Sequence, residues 1–282
     1  MSTSPSPQNA PTPGSVAANR PDTLEGAPNF RSVSSLPAAD GRAIRPYRLF
    51  RSDALHRLSE SDLQRLEALR IKTVLDLRRD DERQSAPTRW PLAAPAATRL
   101  FDASPELEVV QAGGWRTVIR QEDFHAPQAR AWMAQTYARM PLALAPAVRD
   151  AIDLLSRPAP EGQAADAVLV HCTAGKDRTG FVCAMVLSAL DVPHEAILSD
   201  YLESSRRRPP ETLARTLLDF HGIEASPRAL SALEAIAGVN SDFLDSALRA
   251  IDEKFGSRQN YLQQACGLNP QRLEALRAAM LD

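Results

Sequence analysis

Cysteine and net charge are both scarce in this chain of 282 residues. Its three cysteines are too few for a disulfide framework, so we expect a protein of a reducing compartment. A formal net charge of −2 gives no bulk attraction to nucleic acid, and any affinity for anions must be local. With 44% hydrophobic and 24% charged residues, the chain has the composition of a folded globular protein.

Long apolar runs are also missing. No stretch is long and apolar enough to cross a bilayer, so we expect no integral membrane segment. Residues 1–23 lack the charged and apolar regions of a cleavable signal peptide, and we expect them to form a disordered tail, because they have little to bury. One domain over residues 24–282 would follow, in the cytoplasm or exported by a route without a cleavable signal. The histidines show no metal-ligand spacing, so we expect neither a metal nor a cofactor.

The segment HCTAGKDRTG, residues 171–180, is the most informative part of the chain. It places a thiol, Cys172, and a guanidinium, Arg178, at the two ends of a short turn that contains Gly175. Residues 167–170 before it are typical of a buried parallel strand, and the apolar run after it is typical of a buried helix. A turn between a strand and a helix N-terminus holds anions with backbone amides.

The chemistry of a phosphate site follows from these residue types. A cysteine attacks as its thiolate, and amides that hold a phosphate also stabilise a sulfur anion, so we expect Cys172 to be ionised at neutral pH. Arg178 can grip two phosphate oxygens at once. Thr179 could donate its hydroxyl to the sulfur, and His171 would orient the turn rather than titrate. The remaining candidates for binding the phosphate are Thr173, Ala174 and Gly175.

The segment resembles the signature loop of the cysteine-dependent protein tyrosine phosphatase superfamily, which reads H-C-x5-R-[ST]-G. Residues 24–33, 41–82, 200–205 and 243–282 look like a bacterial branch of atypical tyrosine/serine phosphatases, several of which also act on phosphoinositides. The resemblance covers nearly everything after about residue 24. One departure is visible: the branch commonly reads N-F-R-D-x-G-G, whereas residues 29–35 read NFRSVSS.

A leaving tyrosyl or inositol oxygen needs a proton, so such a site requires a general acid. Asp177 stands beside Arg178 in the loop, where the resemblance to lipid-directed members of the superfamily implies an acid. Asp102 follows the third strand, where other members place a mobile acid loop. Asp76, in the segment DLR, is the third candidate, although the resemblance implies that it shapes the substrate pocket together with Arg78.

Other charged or sulfur side chains have simpler interpretations. Lys176 would add a positive charge at the pocket rim and favour substrates with more than one phosphate, unless it is an ordinary solvated lysine. The basic run 206–208 is typical of a solvated helix end. Cys183 and Cys266 are most simply buried apolar residues, with redox pairing between Cys183 and Cys172 as the alternative.

The pattern of elements predicts an α/β fold with a mostly parallel central sheet flanked by helices, like that of protein tyrosine phosphatases. Strands are predicted at 47–51, 73–77, 98–101 and 167–170. Residues 105–140, around Gly113-Gly114, predict a helical insertion that is either a lid or a packed surface excursion. Helices are predicted after a capping box at Ser59 and at 142–155, 193–206, 210–221, 227–236, 242–255, 258–266 and 270–281.

We therefore expect a phosphatase that hydrolyses phosphomonoesters through a phosphocysteine intermediate. Phosphotyrosine, phosphoserine or phosphothreonine in proteins, and phosphoinositides, are the candidate substrates. Two other classes remain open: a module that binds phosphorylated ligands with little turnover, and a sulfur-transfer or arsenate-reducing enzyme.

Overall fold

A computed structural model describes residues 23–102, 115–159 and 164–282. The strands are β1 (Arg31–Ser32), β2 (Leu49–Ser52), β3 (Ile71–Asp76), β4 (Ala97–Leu100) and β5 (Ala167–His171). They form one sheet in the order β1-β2-β5-β3-β4, in which only the β1–β2 pair is antiparallel. The predicted fold class, a mostly parallel sheet flanked by helices, is confirmed.

The register of the three central strands determines where the site lies. Ser52 of β2 and Asp76 of β3 both pair with His171, the last residue of β5. The carboxyl ends of these strands therefore meet at one edge of the sheet, which is where ligands bind in open α/β sheets.

Helices cover both faces of the sheet. They are α1 (Glu60–Glu67), α2 (Asp80–Ser85), α3 (Trp115–Val118), α4 (Ala126–Ala143), α5 (Ala145–Leu155), α6 (Asp177–Ala189), α7 (His194–Arg207), α8 (Pro210–Phe220), α9 (Pro227–Ala237), α10 (Ser241–Phe255), α11 (Arg258–Gln264) and α12 (Pro270–Met280). None of the described helices is long and apolar enough to span a membrane.

Alternating residues of β5 face two apolar clusters, as expected for a strand buried on both sides. Val168 and Val170 belong to the larger cluster, which contains α5 and α6, while Ala167 and Leu169 belong to a cluster with α1. The helix α6 is buried almost all round, as its apolar sequence predicts. It is therefore held firmly under the turn that precedes it.

Most predicted elements are present with boundaries shifted by one or two residues. The capping box is confirmed, since Ser59 Oγ accepts from the Asp62 N–H at 3.2 Å and Asp62 Oδ2 accepts from the Ser59 N–H at 3.1 Å. The prediction of one helix over 142–155 is wrong, because α4 continues through Pro141 and the chain turns at Leu144 before α5 begins. The strand β1 and the helix α2 were not predicted.

The predicted insertion at 105–140 lies partly outside the described residues, Gly113-Gly114 included. Within the described part, α3 and α4 are helical, and α4 packs against α9 and α10. A third apolar cluster joins this helical layer, with Ile119, Ala129, Leu218 and Leu233 among its buried members.

Candidate active site

The turn between β5 and α6 is held from outside through its carbonyl groups. Three successive carbonyl oxygens accept hydrogen bonds from neighbouring segments: Thr173 from the Ala54 N–H at 3.2 Å, Ala174 from Asn29 Nδ2 at 2.9 Å, and Gly175 from Arg51 Nη2 at 2.9 Å. Within a peptide unit the N–H points away from the carbonyl, so the N–H groups of residues 174–176 face the opposite side, the interior of the turn. Such a set of convergent amides suits an anion.

Gly175 is the one position in this turn where a side chain cannot fit. Its φ is +67°, and a Cβ atom there would lie 2.4 Å from the Ser52 carbonyl oxygen and 2.5 Å from the Asp53 nitrogen. Only glycine combines this backbone conformation with so close an approach to the end of β2. The turn is therefore built against the neighbouring strand.

Cys172 and Arg178 occupy the two ends of this turn, as the sequence requires. Cys172 directly follows β5 and is 2% exposed. Burial by itself would lower the pKa of Arg178, but the neighbouring Cys172 and the Glu82 carboxylate raise it above its ordinary value. The guanidinium therefore stays charged beside the sulfur.

Glu82, on α2, holds the guanidinium of Arg178 with two parallel hydrogen bonds of 2.8 and 2.9 Å. The Leu77 carbonyl accepts a further hydrogen bond from Nη1 at 2.8 Å. Nη2 also lies 3.5 Å from Thr173 Oγ1. Within the described part of the chain, the Nε–H is therefore the group of this guanidinium that has no acceptor and remains for a phosphate oxygen. Burial would raise the pKa of Glu82, but Arg178, together with the hydroxyl of Thr173, lowers it to about 2.

Asp177 is the first residue of α6 and is 23% exposed. Its Oδ1 accepts hydrogen bonds from the Tyr137 hydroxyl at 2.7 Å and from Lys176 Nζ at 2.9 Å. The Lys176 ammonium also donates to the carbonyls of Ile236 and Gly238, at 2.8 and 3.2 Å. Lys176 is therefore neither a solvated lysine nor an unpaired charge at the rim, because it ties the turn to the end of α9.

Asp76 and Arg78 form a buried ion pair beneath the turn. Arg78 Nη2 lies 2.8 Å from Asp76 Oδ2, and both side chains are almost fully buried. Although burial would raise it, the pKa of Asp76 is held below its usual value by Arg78 and His171. Burial lowers the pKa of His171 to about 4, so this ring is neutral at pH 7. The ring Nδ1 lies 3.4 Å from the Cys172 carbonyl oxygen, in line with an orienting role.

The other predicted site residues are more scattered. Asp102 is exposed and follows β4, which β3 separates from β5 in the sheet. Thr179 is buried in α6, and its hydroxyl oxygen has no hydrogen-bond partner among the described residues. Cys183 and Cys266 are unpaired and buried, and burial raises the pKa of each to about 11.

A buried cluster of charged side chains lies behind the turn and is not predicted by the sequence. Asp200, on α7, pairs with Arg31 at 3.0 Å and with Arg51 at 2.5 Å. Burial would raise the pKa of Asp200, but the two arginines hold it below its usual value. Because Arg51 also binds the Gly175 carbonyl, the cluster fixes one of the outward-facing groups of the turn. The segments NFR and DYLESS, noted for their resemblance, contain two of these residues.

A second ionic contact lies at the carboxyl end of β2. Burial raises the pKa of Asp53 to about 6, against the influence of Arg208, which lies 3.1 Å from its Oδ2. Asp53 Oδ1 accepts from the Asn29 N–H at 3.2 Å. Arg207 donates to the Phe30 carbonyl at 3.0 Å. The interpretation of residues 206–208 as a solvated helix end is therefore wrong for Arg207 and Arg208. The position of Asp53 directly after a strand was a signal that could have found it.

The described residues contain no group of three or more His, Cys, Asp and Glu side chains able to hold a metal ion. The chemistry available at this turn is that of a buried thiol, a guanidinium and inward-facing amides, with Asp177 as the nearest carboxyl in the sequence.

Comparisons with known proteins concern the family of the whole chain. A family model described as the tyrosine phosphatase family matches residues 23–282. A protein of Cupriavidus necator that carries the provisional name tyrosine-protein phosphatase is 31% identical over 91% of this chain and 88% of its own length. The triple specificity protein phosphatase PtpB of Mycobacterium tuberculosis is 29% identical over 92% of this chain and 98% of its own length.

A solved structure also matches. The crystal structure of P. aeruginosa TpbA is 17% identical, with 76% of this chain and 97% of that chain covered and a TM-score of 0.28. A score this low carries no argument about the site, which depends on the contacts of the chain itself.

Proposed function

The chain belongs to the tyrosine phosphatase family, which makes it a phosphoric monoester hydrolase, and we propose that it acts through a phosphocysteine on Cys172. The observation that carries this proposal is the turn itself. Its carbonyls are bonded outward, its amides face inward, and the guanidinium of Arg178 is held by Glu82 and Leu77 with its Nε–H unpaired among the described residues.

In the first step the Cys172 thiolate attacks phosphorus in line with the ester oxygen. An S–P bond forms, the P–O ester bond breaks, and Asp177 gives its proton to the leaving oxygen. The amides of residues 174–176 and Arg178 bind the equatorial oxygens as charge shifts between them.

In the second step a water molecule attacks the phosphocysteine. Asp177, now a carboxylate, takes a proton from the water, the S–P bond breaks, and inorganic phosphate leaves. Thr179 could support the departing sulfur through its hydroxyl. Asp76 and Arg78, an ion pair below the turn, would shape the pocket rather than transfer protons, because their groups are bonded to each other.

We propose phosphotyrosine in proteins as the first substrate, followed by phosphoserine, phosphothreonine and phosphoinositides. The similarity to a protein named as a triple specificity phosphatase supports testing all of these substrate classes. Lys176 would contact a second phosphate only by leaving the carbonyls of Ile236 and Gly238. This contact supports a monophosphate as the preferred ligand.

Phosphate release from tyrosine-, serine- and threonine-phosphorylated peptides and from short-chain phosphoinositides tests the proposal. We expect turnover of the phosphotyrosine peptide, and a rapidly quenched reaction should show the added mass of a phosphoryl group on Cys172. Cys172→Ser should abolish turnover while phosphate still binds, whereas Cys266→Ser, which alters another buried thiol, should retain activity. Turnover by Cys172→Ser would exclude the mechanism.

A further inference from the structure

Two buried tyrosine hydroxyls meet behind the catalytic turn, next to the carboxyl group of Asp177. Tyr137 of α4 is 0% exposed and Tyr201 of α7 is 1% exposed. Their hydroxyl oxygens lie 2.7 Å apart, and the Tyr137 hydroxyl lies 2.7 Å from Asp177 Oδ1. Neither α4 nor α7 belongs to the signature segment, so the sequence did not indicate this contact.

The direction of the two hydrogen bonds follows from counting protons. Tyr137 has one hydroxyl proton, and Asp177 Oδ1 accepts it both in the carboxylate and in the acid form whose proton lies on Oδ2, so Tyr137 donates to Asp177. The proton between the two tyrosines must then come from Tyr201.

Both phenols stay protonated over the working range of pH. Burial raises the pKa of Tyr137 and of Tyr201, and the nearby Asp177 carboxylate raises both further. The pair therefore acts as a fixed chain of donors rather than as a proton source.

Packing leaves the two rings little freedom. They meet edge to face with centroids 6.3 Å apart, and Tyr137 also packs against Phe243 at 5.6 Å. A Cβ atom at Gly180 would lie 2.9 Å from Tyr201 Cδ2, so the glycine of the signature segment is what lets this ring approach α6. A buried, well-packed donor holds its acceptor more precisely in space than a solvated one.

We propose that Tyr137, supported by Tyr201, is a positioning residue that fixes the rotation of the Asp177 carboxyl group for proton transfer to the leaving oxygen. This inference rests on the proposed function of Asp177 as general acid. Lys176 Nζ also contacts this carboxyl group, at 2.9 Å from Oδ1 and 2.7 Å from Oδ2. Without the Tyr137 hydroxyl the group is held from one side only, and it donates its proton less often in the required geometry. The loss should therefore be large only for substrates whose leaving group needs a proton.

Two aryl phosphates separate this role from a general loss of folding. The leaving group of para-nitrophenyl phosphate is acidic and departs without much help, whereas that of phenyl phosphate needs an acid. We expect Tyr137→Phe to lower kcat/KM about 10-fold for phenyl phosphate and no more than about 2-fold for para-nitrophenyl phosphate. Tyr201→Phe should give a smaller loss with the same substrate dependence.

Tyr261→Phe is the matched control, because it also removes one buried tyrosine hydroxyl. That hydroxyl donates to the Pro141 carbonyl at 2.8 Å and makes no contact with Asp177. We expect this variant to change both substrates by the same factor. An equal loss on both substrates in Tyr137→Phe, matching Tyr261→Phe, would overturn the inference.

Asp177→Asn distinguishes failure of the inference from failure of the proposed function. We expect it to lower kcat/KM for phenyl phosphate by about 100-fold, with a much smaller effect on para-nitrophenyl phosphate. If Asp177→Asn shows this dependence and Tyr137→Phe does not, only the positioning role fails. If Asp177→Asn shows no substrate dependence, the assignment of the general acid fails, and the role of Tyr137 fails with it.

Discussion

Replacing Glu82 by glutamine removes the negative charge that pairs with Arg178 but keeps one acceptor oxygen in place. The pKa of Glu82 is lowered from 4.5 to about 2, which corresponds to about 3 kcal/mol of stabilisation of its ionised form. Part of this comes from Thr173 and from the Arg79 N–H, so the share of Arg178 is smaller. A loss of about 1 to 3 kcal/mol in the transition state lowers kcat/KM by about 5- to 150-fold. We expect a reduction in this range for Glu82→Gln.

The assay combines kcat/KM for an aryl phosphate with the inhibition constant of inorganic phosphate. We expect kcat/KM to fall and the inhibition constant of phosphate to rise, because the guanidinium of Arg178 loses the carboxylate that orients it. Asp81→Asn is the control: it lies on the same helix and pairs with Arg79, but at the surface, and should have little effect. If Glu82→Gln retains wild-type catalysis and phosphate affinity, or improves them, then Glu82 does not position Arg178.

Three further predictions concern the support of the turn. Gly175→Ala should abolish phosphate binding and lower the melting temperature, since its Cβ would lie 2.4 Å from the Ser52 carbonyl; a phosphate titration checks this. Asp200→Asn leaves the buried charge of Arg51 uncompensated and should cost about 3 kcal/mol or more in urea unfolding. The pKa of His171 falls from 6.5 to about 4 on folding. Between these pH values the unfolded chain therefore binds more protons than the folded protein. The free energy of unfolding should decrease as the pH falls from about 6.5 to about 4. Urea titrations at several pH values should show this decrease in the free energy of unfolding. In His171→Asn the dependence on pH should be weaker.

The core of the site could be predicted because its residues are neighbours in sequence. A strand, a turn with Gly175 and a buried helix follow one another without interruption, and the chain order alone brings Cys172 close to Arg178. The parallel sheet followed in the same way from alternating strands and helices.

The supporting residues could not be predicted because their contacts are distant in sequence. Glu82 lies 96 residues from Arg178, and Tyr137 lies 40 residues from Asp177. A glutamate in the segment DDER looks like part of a solvated helix, and a tyrosine on an apolar face looks like core. Only the tertiary fold shows that these side chains end at the turn between β5 and α6.

The helix boundary near Pro141 was also predicted wrongly. The sequence predicts a helix over 142–155, which begins directly after Pro141, and proline is disfavoured in a helix interior. The chain instead continues α4 through Pro141 and begins α5 one residue after Leu144, with Pro146 in its first turn. Packing of α4 against α9 and α10 outweighs the local cost.

The most direct test of the account is the rate at which iodoacetamide alkylates Cys172 as a function of pH. Burial raises the pKa of Cys183 and of Cys266 to about 11, so these two thiols should stay unreactive under the same conditions. We predict rapid modification already at pH 6.5, at Cys172 alone, and strong protection by inorganic phosphate. Slow modification that rises only near pH 8.5, as in a model thiol, and that phosphate does not affect, would contradict the claim that the turn holds a sulfur anion.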